Sequence, residues 1–486
     1  MKTTRRILSL VLCFVMLFSF SYTSLAAESI GKELWDLTFD TESESFKAAV
    51  TMFPGKNEKE RIIAWYSDSA EGHVELKQGG EASTVKAKAK SIPQGGYRLS
   101  ATLEELEKGK YSYRCISGEF KSSAHTFTVS DDDTLTALYV SDIHISADDE
   151  NDKNRLCNSA YNYDRTLDKA YLKSVKNGDA LDIVLSGGDQ AGEGLFEEYK
   201  ALSTPSLTKS VPFAPTVGNH DRKSVNYKHY TALPNEGDFT FRSYIGTDWW
   251  TRQGDVLILM LDSCNCSMKE HYKFMKQAIA QNEDAKWIVA SIHHDMFGGR
   301  EAWLEGENKL LRMMWVPFFD EFGIDLVLYG HSHYYSVSNV IYGSKTVSET
   351  GHNAKVKDPE GTIYLSSGSI NNLAPLVTDE GEVPPIGENA GYTFLEEEII
   401  YNLLEFTDKT LTVKSYTVDS DELFNTLTIE KTSKKGGHSY KNSAWYLKGL
   451  AFFAGRIVNI INNCDMYKRY VNDGYEVSLK EGLIGS

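Results

Sequence analysis

Five short segments place Asp, Asn and His where apolar runs stop. They are "YVSDIHIS" with Asp142 and His144, "LSGGDQAG" with Asp189, "TVGNHDR" with Asn219, His220 and Asp221, "VASIHHDMF" with His293 and His294, and "YGHSHYY" with His331 and His333. These side chains are the oxygen and nitrogen donors that suit hard and borderline divalent or trivalent cations. A lone D-x-H or H-x-H serves equally well as a cap or a buried polar pair. Five such groups at five strand ends of one stretch of chain point instead to a shared metal site, because open α/β sheets carry their sites beyond the strand ends.

The elements that must position these residues are readable too. The runs "TLTALYV", "LDIVLS", "DVLILML", "KWIVASI" and "IDLVLY" are continuously apolar and alternate with helical stretches such as "DRTLDKAYLKSVK" and "KEHYKFMKQAIAQN". That is the pattern of α/β layers whose central strands are buried on both faces. Near residue 400 the chain returns to strands with "YNLLEFTDKTLTVKSYTVD". From about residue 47 to 130, short alternating runs such as "RIIAWYSD" and "GHVELKQ" are punctuated by "QGGEA" and "IPQGG". This predicts a self-contained β-sandwich in which Tyr111, Tyr113 and Cys115 share one face of a strand, with Ser112 and Arg114 on the other. "SDDDT" at 130 to 134 reads as its exit linker.

At 486 residues the chain exceeds what one hydrophobic core usually holds, so two or three domains are expected. It opens with "MKTTRR", the 14-residue apolar run "ILSLVLCFVMLFSF" and the small residues of "SYTSLA", the order of an export signal cleaved near Ala26. Fourteen residues are too few to span a bilayer, and no later segment reaches about 20 uninterrupted apolar residues. The expected mature product is soluble and extracellular, with no transmembrane span. Cys13 comes after the bulky Leu12 deep in the apolar run, which argues against lipid attachment. Removing residues 1–26 takes away three cationic side chains and no acidic ones, moving the formal charge from −17 to −20. Such a balance repels polyanions, so no nucleic acid partner is expected. The remaining cysteines, Cys115, Cys157, Cys264, Cys266 and Cys464, are odd in number and irregularly spaced, which does not describe a disulfide framework.

The order and glycine context of the five motifs resemble the calcineurin-like metallophosphoesterase family over roughly residues 135 to 420. A sandwich followed by such a domain resembles the purple acid phosphatases and their bacterial relatives, with an N-terminal fibronectin-III-like module. The implied fold class is α/β (α+β): a four-layer β-sandwich core flanked by helices, preceded by an all-β sandwich. The expected division is a signal peptide at 1–26, the sandwich at 27–132, the catalytic domain at 133–422 and a C-terminal extension at 423–486. In the extension, Tyr446, Leu450, Phe453, Ile457, Ile460 and Cys464 form one helical stripe, read as packing against the catalytic domain in preference to touching a membrane.

The resemblance implies two divalent or mixed-valence ions, Mn, Fe or Zn. One would be held by Asp142, His144 and His333, the other by Asn219, His293 and His331, with the Asp189 carboxylate bridging both. A bridging carboxylate has two oxygens and a charge to offset two cations about 3.5 to 4 Å apart. Serving different ions, His331 and His333 require a turn. Either histidine of "HHD" can reach a metal; the alignment favours His293 and leaves His294 to support the site or contact substrate. His220 becomes the general acid toward the leaving group, with Asp221 orienting its imidazole, and Arg222 is a candidate phosphate contact. In the purple enzymes a tyrosine three residues after the bridging aspartate ligates iron. Gly192 occupies that place here, so the tyrosinate colour is expected to be absent.

The expected function is a secreted metal phosphohydrolase acting on phosphomonoesters through a metal-bridging hydroxide. Phosphodiester or nucleotide hydrolysis is the alternative within the family. A cell-surface binding protein with a vestigial metal domain, using exposed aromatics such as Trp249 and Trp250, is the alternative outside it, although no ligand residue is missing. His229, His271, His352 and His438 stand outside the motifs and read as structural or exposed.

Overall fold

The computed structural model describes residues 24–130, 134–148, 152–239, 246–297, 305–373, 386–394, 397–432 and 447–458. Contacts divide the chain into Met1–Glu42 and Ser43–Ser486. In the first unit the described part is the helix Ser24–Thr38 with the residues after it. The segment read as an export signal lies mostly outside the described residues. No helix among the described residues is long and apolar enough to cross a membrane.

The second unit is built on two seven-stranded sheets packed face to face. One has the strand order Phe213–Pro215, Ile183–Ser186, Leu135–Val140, Ile400–Phe406, Thr410–Thr417, Leu423–Glu430, Lys355–Lys357. The other runs Trp249–Gln253, Val256–Met260, Trp287–Ser291, Leu326–Tyr329, Ile363–Ser367, Tyr335–Ser338, Ala390–Thr393. Alternate residues of the apolar runs divide between two cores. Ile258, Val289 and Leu328 face Tyr139 and Leu185 across the sheet-to-sheet interior. Leu257, Ala290 and Val327 face Met275 and Trp315 of the helices Met268–Ala280 and Glu305–Phe322. Both faces are covered, so these strands carry no polar alternation. The helix Lys153–Asn177 packs on the first sheet with Tyr163, Leu167 and Ala170 buried, starts at the Asp152 cap and ends at Gly178 with φ 93°.

Ahead of this core, two antiparallel sheets enclose Ile63, Trp65, Leu99, Tyr113 and Cys115. Their strands run from Thr51 to Val129, and a helix lies where the sandwich was expected to begin, at residue 27. Tyr111, Tyr113 and Cys115 face inward, as alternation requires. The sandwich is not the free-standing module its sequence suggests. Buried Arg98 donates to the carbonyls of Ala49 (3.1 Å) and Tyr230 (3.0 Å), Thr51 meets Ser203 at 2.8 Å, and the Tyr113 hydroxyl donates to the Lys209 carbonyl at 2.8 Å. Polar groups buried with partners across a seam weld the two β structures into one unit.

Three further expectations are corrected. The catalytic sheet does not stop at residue 422: Leu423–Glu430 pairs along Thr410–Thr417 and buries Phe424, Leu427 and Ile429. Trp249 is buried between the sheets, with its indole N–H on the Pro215 carbonyl at 3.1 Å, and Trp250 is half-buried against the helical side, so neither forms an exposed aromatic platform. The helix at 447–458 does dock on the catalytic unit, but through Ala451, Ala454, Phe452 and Val458. Leu450, Phe453 and Ile457 are exposed, because small alanines approach the packed surface more closely than the bulky stripe can. Tyr446, Ile460 and Cys464 lie outside the described residues.

Candidate metal centre

The motifs meet because their strands run the same way. Leu135–Val140, Ile183–Ser186 and Phe213–Pro215 are parallel neighbours in one sheet, as are Trp287–Ser291 and Leu326–Tyr329 in the other. All five therefore end on one edge of the double sheet. The two sheets are tied there by Thr216 to Ser291 (2.7 Å) and by the Tyr139 hydroxyl to the Tyr329 carbonyl (2.6 Å).

Three overlapping groups on that edge bring their donor atoms within 4.8 Å of one another: Asp142, His144 and His333; His144, Asp189 and His220; Asp142, Asp189 and His293. His333 Nε2 lies 3.3 Å from Asp142 Oδ1 and 3.2 Å from His144 Nε2. On the other side, Asn219 Oδ1 is 2.9 Å from both His293 Nε2 and His331 Nδ1. Asp189 lies between, with Oδ2 at 3.2 Å from His293 Nε2 and 3.8 Å from His144 Nε2. The two histidines of "HSH" thus face different groups across a turn. His293, not His294, points its nitrogen at the carboxylate and amide. Two imidazole nitrogens aimed at one point 3.2 Å apart, beside carboxylate oxygens in a buried setting, fit a shared cation. The donor set therefore suits metal binding.

Charge within the cluster differs from one member to the next. Burial pushes the Asp189 carboxyl up, but His293, His144 and His220 together hold it well below the usual carboxylate range. His293 is desolvated, yet Asp189 and Asp142 push it up to about 9. Burial dominates at His144 and lowers it to about 4, keeping a neutral ring with a lone pair to give.

The backbone is bent to make this arrangement. Asp142, His144, Asp189, His331 and His333 have φ of 49°, 46°, 52°, 70° and 60°, a region L-residues seldom enter. Glycines supply the clearance around them. A Cβ on Gly330 would sit 2.0 Å from Asp142 Oδ2, and one on Gly218 would sit 2.1 Å from Asp189 Oδ1. At Gly192 a Cβ would fall 2.3 Å from Ser146 Oγ, so no tyrosine fits that position without a shift.

The residues around the cluster divide differently from expectation. Asp221 does not hold the His220 ring. Its carboxylate accepts the N–H groups of Gly218 (2.9 Å), Gln190 (3.3 Å) and Ala191 (3.4 Å) and the Tyr199 hydroxyl (2.9 Å), clamping the Asp189 loop to the Asn219 loop. Adjacent residues in the tight turn that starts at Asp221 point apart, which sequence adjacency hides. His220 Nδ1 instead meets the Gly192 carbonyl at 2.6 Å, and its backbone N–H donates to Asp189 Oδ1 at 2.8 Å. Arg222 donates to the Cys264 carbonyl at 2.5 Å. His294 Nδ1 lies 2.8 Å from Ser263 Oγ, with its ring centroid 4.6 Å from that of His331. Ser263 escaped the sequence reading although the signal was there, since "DVLILML" also ends in a polar pair, Asp262 and Ser263.

Residues 135–335 match the family model of the calcineurin-like phosphoesterases. Among curated proteins, a phosphoenolpyruvate phosphatase of Allium cepa is 24% identical over 206 residues, covering 37% of this chain and 40% of the relative. The Fe(3+)-Zn(2+) purple acid phosphatase 12 of Arabidopsis thaliana is 24% identical over 183 residues, covering 36% and 37% respectively. Among solved structures, purple acid phosphatase PPD1 from yellow lupin (Lupinus luteus) seeds aligns with a TM-score of 0.62 at 15% identity, over 79% of this chain and 74% of that one. The chain spans less than half the length of those two curated relatives.

Proposed function

We propose that this chain is an exported phosphohydrolase using two metal ions, with phosphomonoesters as substrates and residues 1–26 as the export signal. The observation that carries the reading is the convergence of seven ligand-type side chains on one sheet edge, five of them held in left-handed backbone. In this reading Asp142, His144 and His333 hold one ion, Asn219, His293 and His331 hold the other, and Asp189 lies between. Two such ions supply Lewis-acid charge for the phosphoryl oxygens and a nucleophile derived from water.

The chain's own groups do the rest. His220 gives Nδ1 to the Gly192 carbonyl and keeps Nε2 for a proton, which it delivers to the departing alkoxide. Arg222 and His294 bind and orient the phosphoryl oxygens. Asp221 keeps the two ligand loops in register instead of serving the acid. The monoester preference is supported by the partial likeness to proteins named as phosphatases, an argument by analogy.

The test is initial rates of the purified mature chain, with Mn added, on p-nitrophenyl phosphate and bis-p-nitrophenyl phosphate. A chelator-treated sample and a His220→Ala, Asp189→Ala double variant serve as blanks. A monoester rate well above the diester rate, lost in both blanks, is expected. The reverse ratio assigns a phosphodiesterase. No blank-sensitive turnover with two ions per chain confirmed would overturn the reading.

A further inference from the structure

The buried pair Asp248 and His271 stands outside the metal cluster, and the function above does not use it. His271, on the helix Met268–Ala280, is fully buried; its Nδ1 lies 2.7 Å from Asp248 Oδ2 and its Nε2 lies 2.6 Å from the Asn265 carbonyl. Both ring nitrogens face oxygen acceptors, so both carry hydrogens and the ring is an imidazolium paired with Asp248. Asp248 Oδ1 accepts the Asp262 N–H at 2.8 Å. The ring is wedged between Phe239 and Trp315, at centroid distances of 5.1 and 4.8 Å. This pair therefore grips the loop "DSCNCS" at two backbone points, Asp262 and Asn265. Apolar side chains of equal volume would anchor the helix as well, but they could not hold those polar backbone groups.

Between the two grips lie Ser263 and Cys264. Ser263 Oγ accepts the N–H groups of His293 and His294, each at 3.2 Å, and lies 2.8 Å from His294 Nδ1. With two donors already on that oxygen, its own hydrogen goes to Nδ1, which places the His294 proton on Nε2. The Cys264 carbonyl holds the Arg222 guanidinium at 2.5 Å. One loop thus orients both groups assigned to phosphoryl binding.

We propose that Asp248, His271 and Ser263 are positioning residues that set phosphate affinity, acting through the loop 262–265 on His294 and Arg222. The inference rests on the phosphohydrolase reading, because it takes those two side chains as phosphoryl contacts.

Three variants test it: Asp248→Asn, Ser263→Ala and the two combined. KM and kcat on p-nitrophenyl phosphate are measured, together with inorganic phosphate binding by calorimetry on the metal-loaded chain, metals per chain and melting temperature. Each single variant is expected to raise KM and the phosphate dissociation constant about tenfold, the loss of roughly one hydrogen bond to a charged group. Metal content and kcat should stay within about twofold, and the combined variant should be no worse than the singles, as for residues in one network. Lower melting temperatures with unchanged KM and phosphate affinity would overturn the proposal and leave a structural pair. If Asp248→Asn does not fold, Ser263→Ala decides alone, since it cuts the link to His294 and leaves the buried pair in place. Wild-type chain that binds phosphate but turns over no ester defeats the parent reading only; wild-type turnover with insensitive variants defeats this one only.

Discussion

Turns in the N-terminal sandwich and turns at the metal site both use left-handed backbone, and they fill it with different residues. Among the described residues between 51 and 129, that conformation falls to Gly79, Gly80, Gly95, Gly96, Gly109 and Gly118, with Glu105 the exception. On the sheet edge it falls to the ligand-type residues Asp142, His144, Asp189, His331 and His333, with Gly188 among them next to Asp189. Glycine enters this region freely, whereas a residue with a Cβ costs roughly 1–2 kcal/mol there, somewhat less for Asp and His. A sandwich turn only has to reverse the chain. A strand-end turn has to deliver a particular donor atom, and the strain marks the positions where that delivery outweighs the conformational cost.

The sharpest way to break this contrast is to fill the space that lets the strained residues approach. Gly330→Ala would put a Cβ 1.9 Å from Ser141 Oγ and 2.0 Å from Asp142 Oδ2, so either the "HSH" turn or the Asp142 loop must move. The expected result is a loss of about 100-fold in kcat/KM, the scale of an ångström-sized misplacement, with fewer metal ions bound per chain. Full activity with both ions retained would show that the loops are more adaptable than these distances allow.

A smaller effect separates strain from ligation. His333→Asn and His333→Val both remove the imidazole, but Asn tolerates φ near 60° and a β-branched residue does not. In the presence of a chelator, urea unfolding should place the Val variant about 1–2 kcal/mol below the Asn variant. Equal stabilities would mean that the turn relaxes once the side chain is lost, and that the left-handed conformation belongs to the ligand instead of the loop.

Much of the site was legible because it depends on strand ends. Continuous apolar runs announce doubly covered parallel strands, and the residues just past each run lie on the same edge, so Asp142, Asp189, Asn219, His293 and His331 could be gathered without coordinates. Features that depend on side-chain direction could not be read. Asp221 sits beside His220 in sequence, yet the turn between them sends its carboxylate toward the N–H groups of Gly218 and Gln190. Asp248 and His271 are 23 residues apart and meet only through the fold. The strand Leu423–Glu430 was hidden by its mixed burial, with polar residues at the half-exposed places and Phe424, Leu427 and Ile429 inward. The face chosen by the C-terminal helix was hidden as well, because hydrophobicity predicts a bulky stripe inward while close approach selected alanines.

The smallest expected effect lies at the other pole of the comparison. Gly95 has φ 91° and open space where a Cβ would go, so Gly95→Ala meets no steric neighbour and tests backbone conformation alone. Its turn sits in the sandwich, away from every residue assigned to the metal site. The variant should lose about 1 kcal/mol of stability, because alanine is incompatible with positive φ even though it restricts the unfolded chain. kcat, KM and metal content should not change. A loss of activity at this position would mean that the seam tied by Arg98, Thr51 and Tyr113 transmits distortion from the sandwich to the strand ends. The two kinds of turn would then be coupled parts of one device, and glycine in the sandwich would be serving the metal site at a distance.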